Sequence, residues 1–228
     1  MTTGLVLWDI DHTLVDTRGA GRALFAEAFL RVTGVRMTGQ PRIDGLTEPV
    51  IFRETARMHG LRTSSAEFAD FAVALAEAHL RGIAGLRDRG RALPGAASAL
   101  TALSQVPGVR QTVLTGNIRV AAEVKLAAFG LDRHLDLTIG AYGEESEERA
   151  GLVGLALARA SCPAADAVLV GDTPGDVRAG LASGVRVVAV ATGRSSEEEL
   201  RSAGAEAVVA DLSAHRDAVD LILNGTHG

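Results

Sequence analysis

Short apolar runs that stop abruptly at an acid, a glycine or a hydroxyl recur along this chain, and they constrain its fold more than any other feature. The first, Gly4-Leu5-Val6-Leu7-Trp8, ends at Asp9. A run that is apolar at every position suits a strand covered on both faces, as in a parallel sheet. Arg110 to Leu114, Leu135 to Ile139, Ala167 to Val170, Val185 to Val190 and Ala207 to Val209 read as further strands, with helical stretches between most of them. This alternation predicts an α/β fold on a doubly wound, mostly parallel sheet.

Roughly ninety residues separate the first two predicted strands, far more than one crossover helix needs. Within them Leu24, Phe25, Ala28, Phe29 and Val32 repeat at helical spacing, as do Phe68, Ala72, Leu75 and His79. Thr47-Glu48-Pro49 has the form of a helix start before Ile51 to Met58. The expectation is a helical cap domain over residues 17–93, inserted into a core domain made of residues 1–16 and 94–228. Pro94-Gly95 marks the return to the core and opens a helix from Ala96 to Leu103.

Charge divides along the same line. Between Arg18 and Leu93 there are 12 arginines and 8 acids, against 11 basic and 20 acidic residues elsewhere. A basic lid over an acidic floor would attract an anionic substrate, although such tallies mostly count solvated side chains. The overall charge of −5 and the 4% aromatic content exclude a general nucleic-acid surface, which needs a basic stripe and stacking rings. Apolar stretches are short and broken by Gly, Arg or Asp, and Met1 to Trp8 lacks the basic segment and cleavage site of a leader, so neither signal peptide nor membrane span is expected. One cysteine, Cys162, rules out an internal disulfide framework and a multi-cysteine zinc site. The expectation is a cytoplasmic protein acting on a small molecule.

Two carboxylates, Asp9 and Asp11, emerge two residues apart where the first strand ends in Trp8-Asp9-Ile10-Asp11-His12-Thr13-Leu14. Open α/β folds bind ligands at that edge. One acid can attack phosphorus while the other protonates a leaving oxygen, if the site separates their proton affinities; a solvated turn with a capping acid is the structural alternative. The strand at Ala167 ends in Gly171-Asp172-Thr173-Pro174-Gly175-Asp176 and brings two more acids to the same edge. A hard Mg²⁺ ion takes oxygen ligands from one or two carboxylates plus substrate phosphate, which suits Asp9 and Asp172. A Pro-Gly turn with helix-capping acids explains one such strand end, not both. Val113-Leu114-Thr115-Gly116-Asn117 adds a hydroxyl, an unhindered amide N–H and a side-chain amide at a helix start, a phosphate cradle that is by itself also a common turn.

Taken in order, Asp-x-Asp-x-Thr, Thr-Gly-Asn and Gly-Asp-Thr-Pro-Gly-Asp resemble the motifs of the haloacid dehalogenase superfamily, specifically its phosphatase branch, and the resemblance spans the chain. It implies Asp9 as nucleophile, Asp11 as general acid and base, and Thr115 with the Gly116 amide, beside Asn117, as phosphoryl ligands. It also implies Mg²⁺ between Asp9, the Asp11 main-chain carbonyl and Asp172, with Asp176 supporting the metal shell. The inserted helices resemble the cap of phosphoglycolate phosphatase-like and β-phosphoglucomutase-like members. The family's third motif is normally a lysine. The only lysine, Lys125, lies too early in the chain for that place, and Arg149, at the expected first turn of a helix, is the candidate cation. Its fork is larger than an ammonium and disposes its donors differently.

The segment Pro41-Arg42-Ile43-Asp44-Gly45-Leu46-Thr47 resembles the family's substrate-specificity loop, with Arg42 offered to a second anionic group. An ordinary connector is the alternative. The expected activity is Mg²⁺-dependent hydrolysis of a small phosphate monoester, such as phosphoglycolate, through an aspartyl-phosphate. A phosphomutase on the same core and a non-catalytic binder of a phosphorylated metabolite or protein are the rivals. His12 reads as a turn position that tolerates positive φ, Cys162 as packing and Ser196 with Glu199 as a capping box. Gly19 and Gly21 lack the third glycine of a dinucleotide fingerprint, so NAD is not expected.

Overall fold

A computed structural model describes residues 4–224 of the chain. Its strands are β1 (Gly4–Trp8), β2 (Val15–Asp16), β3 (Arg91–Ala92), β4 (Val109–Val113), β5 (Ala167–Gly171), β6 (Arg186–Val190) and β7 (Ala207–Val209). The helices are α1 (Ala20–Thr33), α2 (Glu48–Met58), α3 (Ser65–Arg89), α4 (Ala96–Ser104), α5 (Arg119–Ala128), α6 (Arg149–Ala160), α7 (Pro174–Ala182), α8 (Glu197–Ser202) and α9 (His215–Asn224). Five strands form one parallel sheet in the order β4-β1-β5-β6-β7.

Side chains of a strand alternate between faces, and β1 divides the core accordingly. Leu5 and Leu7 pack with Leu152, Val153 and Ala156 of α6 and Val177 of α7. Val6 and Trp8 pack with Leu100 and Leu103 of α4 and Ile222 of α9. The indole of Trp8 is fully buried, and its N–H donates to Gln111 Oε1 at 3.1 Å while Gln111 Nε2 donates to the Leu100 carbonyl at 2.9 Å. Both polar groups therefore enter the core with hydrogen-bond partners.

One expected strand is absent. Leu135 to Ile139 is irregular, preceded by a short 3₁₀ turn, and only Ala141 bridges to Leu114 beside β4. Asp136 is the cause. Its carboxylate accepts from the Thr138 amide at 3.0 Å and from the Thr138 hydroxyl, which curls the chain back on itself. Thr112 Oγ1 donates to the Asp136 carbonyl at 2.6 Å, so the segment is pinned to the sheet edge as a turn. Leu135 and Leu137 are apolar because they pack against the core there, not because they extend it.

Helices α1, α2 and α3 lie between β2 and β3, which pair antiparallel and close the neck of the insert. Their helical spacing puts Phe25, Phe29, Phe52 and Phe71 into one cluster, with ring centroids 4.8 Å apart for Phe25 and Phe71 and 4.4 Å for Phe52 and Phe71. A capping box between Ser64 and Glu67 starts α3, and α2 starts after Thr47 with Pro49 in its first turn, the Thr47 hydroxyl donating to the Glu147 carbonyl instead of capping the helix. The insert docks on α5 through Ile118 and Ala121 on one side and Ala20, Leu86 and Val124 on the other. Gly95 opens α4 at φ 80°, and a Cβ there would lie 1.7 Å from the Leu212 carbonyl oxygen, so only glycine allows the turn back into the core. Among the described residues no helix is long and apolar enough to cross a membrane.

Candidate active site

A parallel sheet sends the carboxyl ends of its strands to one edge, and the loops after β1, β4 and β5 meet there. The Asp9 amide donates to the Val170 carbonyl at 2.9 Å, continuing the β1 ladder by one residue before the chain turns. His12 then takes φ 61° in a tight turn closed by Val15 N to Ile10 O at 2.9 Å, the position-filling role expected of it.

Asp9, Asp172 and Asp176 are buried, and one carboxylate oxygen from each lies within 4.8 Å of the others. Asp176 is held by the start of α7, where it accepts from the Thr173 amide at 3.1 Å and the Thr173 hydroxyl at 2.6 Å. Asp172 Oδ1 lies 3.4 Å from the Thr13 hydroxyl, and a Cβ on Gly193 would fall 1.8 Å from Asp172 Oδ2. Burial pushes the proton affinities of Asp9 and Asp172 up and Arg149 opposes the rise, while Asp176 and Asp11 add to it at Asp9, and Asp9 and Asp176 add to it at Asp172. Three crowded, buried carboxylates fit a hard divalent cation, which would supply the missing positive charge through oxygen ligands.

Arg149 is the first residue of α6, as expected, and its buried guanidinium spans the cluster. Nε donates to Asp176 Oδ1 at 2.6 Å and Nη2 to Asp9 Oδ1 at 2.8 Å. Two adjacent edges of one planar fork serve two carboxylates, which a single ammonium on a flexible stem does not reproduce.

Asp11 stands apart from this cluster in a clamp of different chemistry. Lys125 Nζ donates to both its carboxylate oxygens, at 2.8 and 2.7 Å, and to Asn117 Oδ1 at 2.6 Å. Asn117 Nδ2 donates to Asp11 Oδ2 at 2.7 Å and to Thr115 Oγ1 at 2.8 Å. Burial works to raise the proton affinity of Asp11, but the ammonium and the two donors outweigh it and hold the carboxyl below its usual range. Thr115 Oγ1 accepts twice from Asn117, through the side chain and the backbone amide, so its own hydrogen remains for another acceptor.

Position in the chain was therefore a poor guide to Lys125, which lies too early for the family's third motif yet reaches the site. The sequence carried a signal for it. Ile118, Ala121, Ala122 and Lys125 fall at i, i+3, i+4 and i+7, which puts the only lysine on the apolar stripe of α5, where a charge needs a partner.

A cavity of about 470 Å³ opens over these groups, with Asp9, Asp11, Thr115, Gly116, Asn117, Lys125, Arg149 and Asp172 in its lining. Asp176 lies beneath it. Pro41, Ile43, Asp44, Gly45 and Leu46 of the connecting loop line the cavity, but Arg42 does not. It turns to Asp44, Nε to Oδ2 at 2.7 Å, and its exposed side chain borders a separate surface depression beside Arg178. The loop is seated against the phosphate-cradle candidate: Glu48 N donates to the Gly116 carbonyl at 2.8 Å, and a Cβ on Gly116 would come within 2.2 Å of the Leu46 carbonyl oxygen.

Solved structures share this architecture from end to end. A hydrolase from Pseudomonas syringae superposes with a TM-score of 0.71 at 22% identity, over 96% of this chain and 99% of that one. A predicted phosphatase from Clostridium acetobutylicum gives 0.70 at 20% identity, over 96% and 99%. CbbY from Rhodobacter sphaeroides, solved in complex with phosphate, gives 0.67 at 22% identity, over 93% and 96%. No curated protein matches the chain in sequence. The family model of haloacid dehalogenase-like hydrolases matches residues 3–184, a span that takes in the loops after β1, β4 and β5 together with Arg149, and the chain belongs to that family.

Proposed function

We propose that this hydrolase cleaves a small phosphate monoester, with Asp9 as nucleophile and Asp11 as the proton-transfer group, in a core of residues 1–16 and 94–228 capped by residues 17–93. The observation that carries the reading is the contrast between two acids two residues apart. Asp9 sits in an acidic cluster bridged by Arg149, and Asp11 in a clamp of Lys125 and Asn117. Carboxylates whose surroundings push their proton affinities apart take different roles in one reaction.

In the first step an Asp9 oxygen forms a bond to phosphorus while the bond from phosphorus to the leaving oxygen breaks, and that oxygen takes a proton by way of Asp11. In the second step water attacks phosphorus, its proton passes to Asp11, and the bond to Asp9 breaks to release inorganic phosphate. Paired with Lys125, Asp11 is the ionised acceptor the second step requires; for the first it must take up a proton. Thr115 and the Gly116 amide would receive phosphoryl oxygens, and Arg149 would hold Asp9 in line. Mg²⁺ held by Asp9, Asp172 and the Asp11 carbonyl, with Asp176 behind them, would neutralise charge on the phosphoryl group. The reading places the chain in the cytoplasm, acting on a small phosphorylated metabolite, and a neighbouring structure is of CbbY with xylulose-(1,5)bisphosphate. With Arg42 turned to Asp44, nothing in the loop favours phosphoglycolate in particular.

The test is phosphate release from a panel of small phosphomonoesters in Mg²⁺ and in EDTA, beside the Asp9→Asn protein. Metal-dependent turnover lost in that variant is expected. Undiminished turnover by Asp9→Asn would remove Asp9 from the chemistry.

A further inference from the structure

The cavity has a wall that the proposed chemistry does not use. It comes from the inserted helices: Glu48, the first residue of α2, and His79 on α3. Both are buried, with 8% and 2% exposure, and Glu48 Oε2 and His79 Nε2 have no hydrogen-bond partner among the described residues. Interiors rarely leave such atoms unpaired, and two of them on one cavity wall point to a ligand that pairs them.

Their chemistry says what that ligand carries. His79 Nδ1 lies 3.0 Å from the Leu75 carbonyl oxygen, which can only accept, so Nδ1 bears the hydrogen and Nε2 presents a bare lone pair. Burial, with Lys125 adding to it, pushes the imidazole down to about 4 and keeps it neutral. Glu48 benefits from the positive end of α2, but an acid exposed to water there would benefit as much, so the dipole does not explain its burial. His79 Nε2 therefore asks for a donor, and Glu48, whose proton affinity burial raises, asks for a hydroxyl that can donate to it or accept from it. The cations of the inner cavity are already engaged, Lys125 with Asp11 and Asn117, Arg149 with Asp9 and Asp176. Arg18, Arg22 and Arg194 line the cavity only as exposed residues.

We infer that Glu48 and His79 form the leaving-group subsite and select a neutral polyhydroxylated alcohol, a sugar, over a short carboxylic acid. Two hydroxyls would satisfy them, one donating to His79 Nε2 and the other pairing with Glu48 Oε2 as donor or acceptor. The carboxylate of phosphoglycolate brings no hydrogen to His79 Nε2 and adds negative charge beside Asp11. The inference rests on the phosphatase reading for where the phosphate sits.

Binding and turnover separate the two claims. Binding is measured by titration calorimetry on the Asp9→Asn protein in Mg²⁺, with D-ribose 5-phosphate, D-glucose 6-phosphate and phosphoglycolate as probes. At least one sugar phosphate is expected to bind about tenfold or more tightly than phosphoglycolate, a preference that Glu48→Ala or His79→Leu in the same background reduces to near parity. Phosphoglycolate binding as tightly as the sugars, a preference that survives both added variants, or no binding of any probe would each overturn the subsite. If the added variants do not fold, the ranking in Asp9→Asn alone decides. Turnover is read separately, from p-nitrophenyl phosphate and wild-type protein: silence there with the sugar preference intact would remove the phosphatase reading and leave the subsite standing.

Discussion

Replacing Arg149 with methionine keeps an unbranched stem in the core and removes the guanidinium that spans Asp9 and Asp176. The side chains concerned are 8%, 9% and 0% exposed, so water cannot take its place. Lost are two charge-assisted hydrogen bonds of 2.6 and 2.8 Å, and left behind are three carboxylates within 4.8 Å. Breaking a buried ion pair from one side costs about 3–5 kcal/mol, and two bonds at about 1.5–3 kcal/mol each fall in the same range. For a chain of this length that lowers Tm by about 6–20 °C, read by calorimetry in EDTA. The sign of the pH dependence follows from the acids. Without the guanidinium the folded proton affinity of Asp9, already raised by burial, rises further above its unfolded value, so the deficit grows as pH rises and is larger at about pH 8.5 than at about pH 6. Mg²⁺ should restore part of it, because an ion that binds only the folded state adds stability in proportion to the logarithm of its concentration. Arg149→Lys keeps the charge but not both bonds and should lose about half as much. An Arg149→Met Tm within about 2 °C of wild type, in EDTA at about pH 8.5, would refute the view that this cation holds the cluster together.

Lys125→Met should lower kcat by about 10²–10³ through loss of control over Asp11, with a stability loss of only about 1–2 kcal/mol because Asp11 is partly solvated; a change confined to KM would contradict that role. Gly193→Ala drives a Cβ against Asp172 Oδ2 and should weaken Mg²⁺ by about 10–100-fold in a titration of turnover, whereas unchanged metal dependence would show that Asp172 is not a ligand. Burial raises Glu48 from 4.5 to about 7, so its protonated form favours the folded state below pH 4.5 and that contribution is lost as pH rises through 7. Glu48→Gln should therefore gain on wild type across this window, by up to about 3 kcal/mol at about pH 8.5, and an equal difference in urea midpoint at acid and alkaline pH would contradict it.

Strand ends and helix starts are local events, and that is why so much was legible in the chain. Gly4–Trp8 and the runs ending near Leu114, Gly171, Val190 and Val209 lie where their apolar patterns put them, within a residue or so at each end. A parallel sheet then brings Asp9, Thr115 and Asp172 to one edge with no further information, and Arg149 stands at the first turn of α6, where the sequence suggested a helix start. Leu135 to Ile139 passes the same apolar test and fails as a strand, because one side chain, Asp136, competes for the backbone. Side-chain direction is where local pattern runs out. Arg42 belongs to the loop expected over the site, yet Asp44 holds it outside the cavity.

From the sequence alone came the class of sheet, the position of the insert and the order of the acidic loops, since each depends on neighbours a few residues away. The tertiary structure alone decided that Lys125 clamps Asp11 and that Glu48 and His79 face the same cavity unpaired, because those contacts depend on how α5 docks against the β1 loop and on how α2 and α3 close over both.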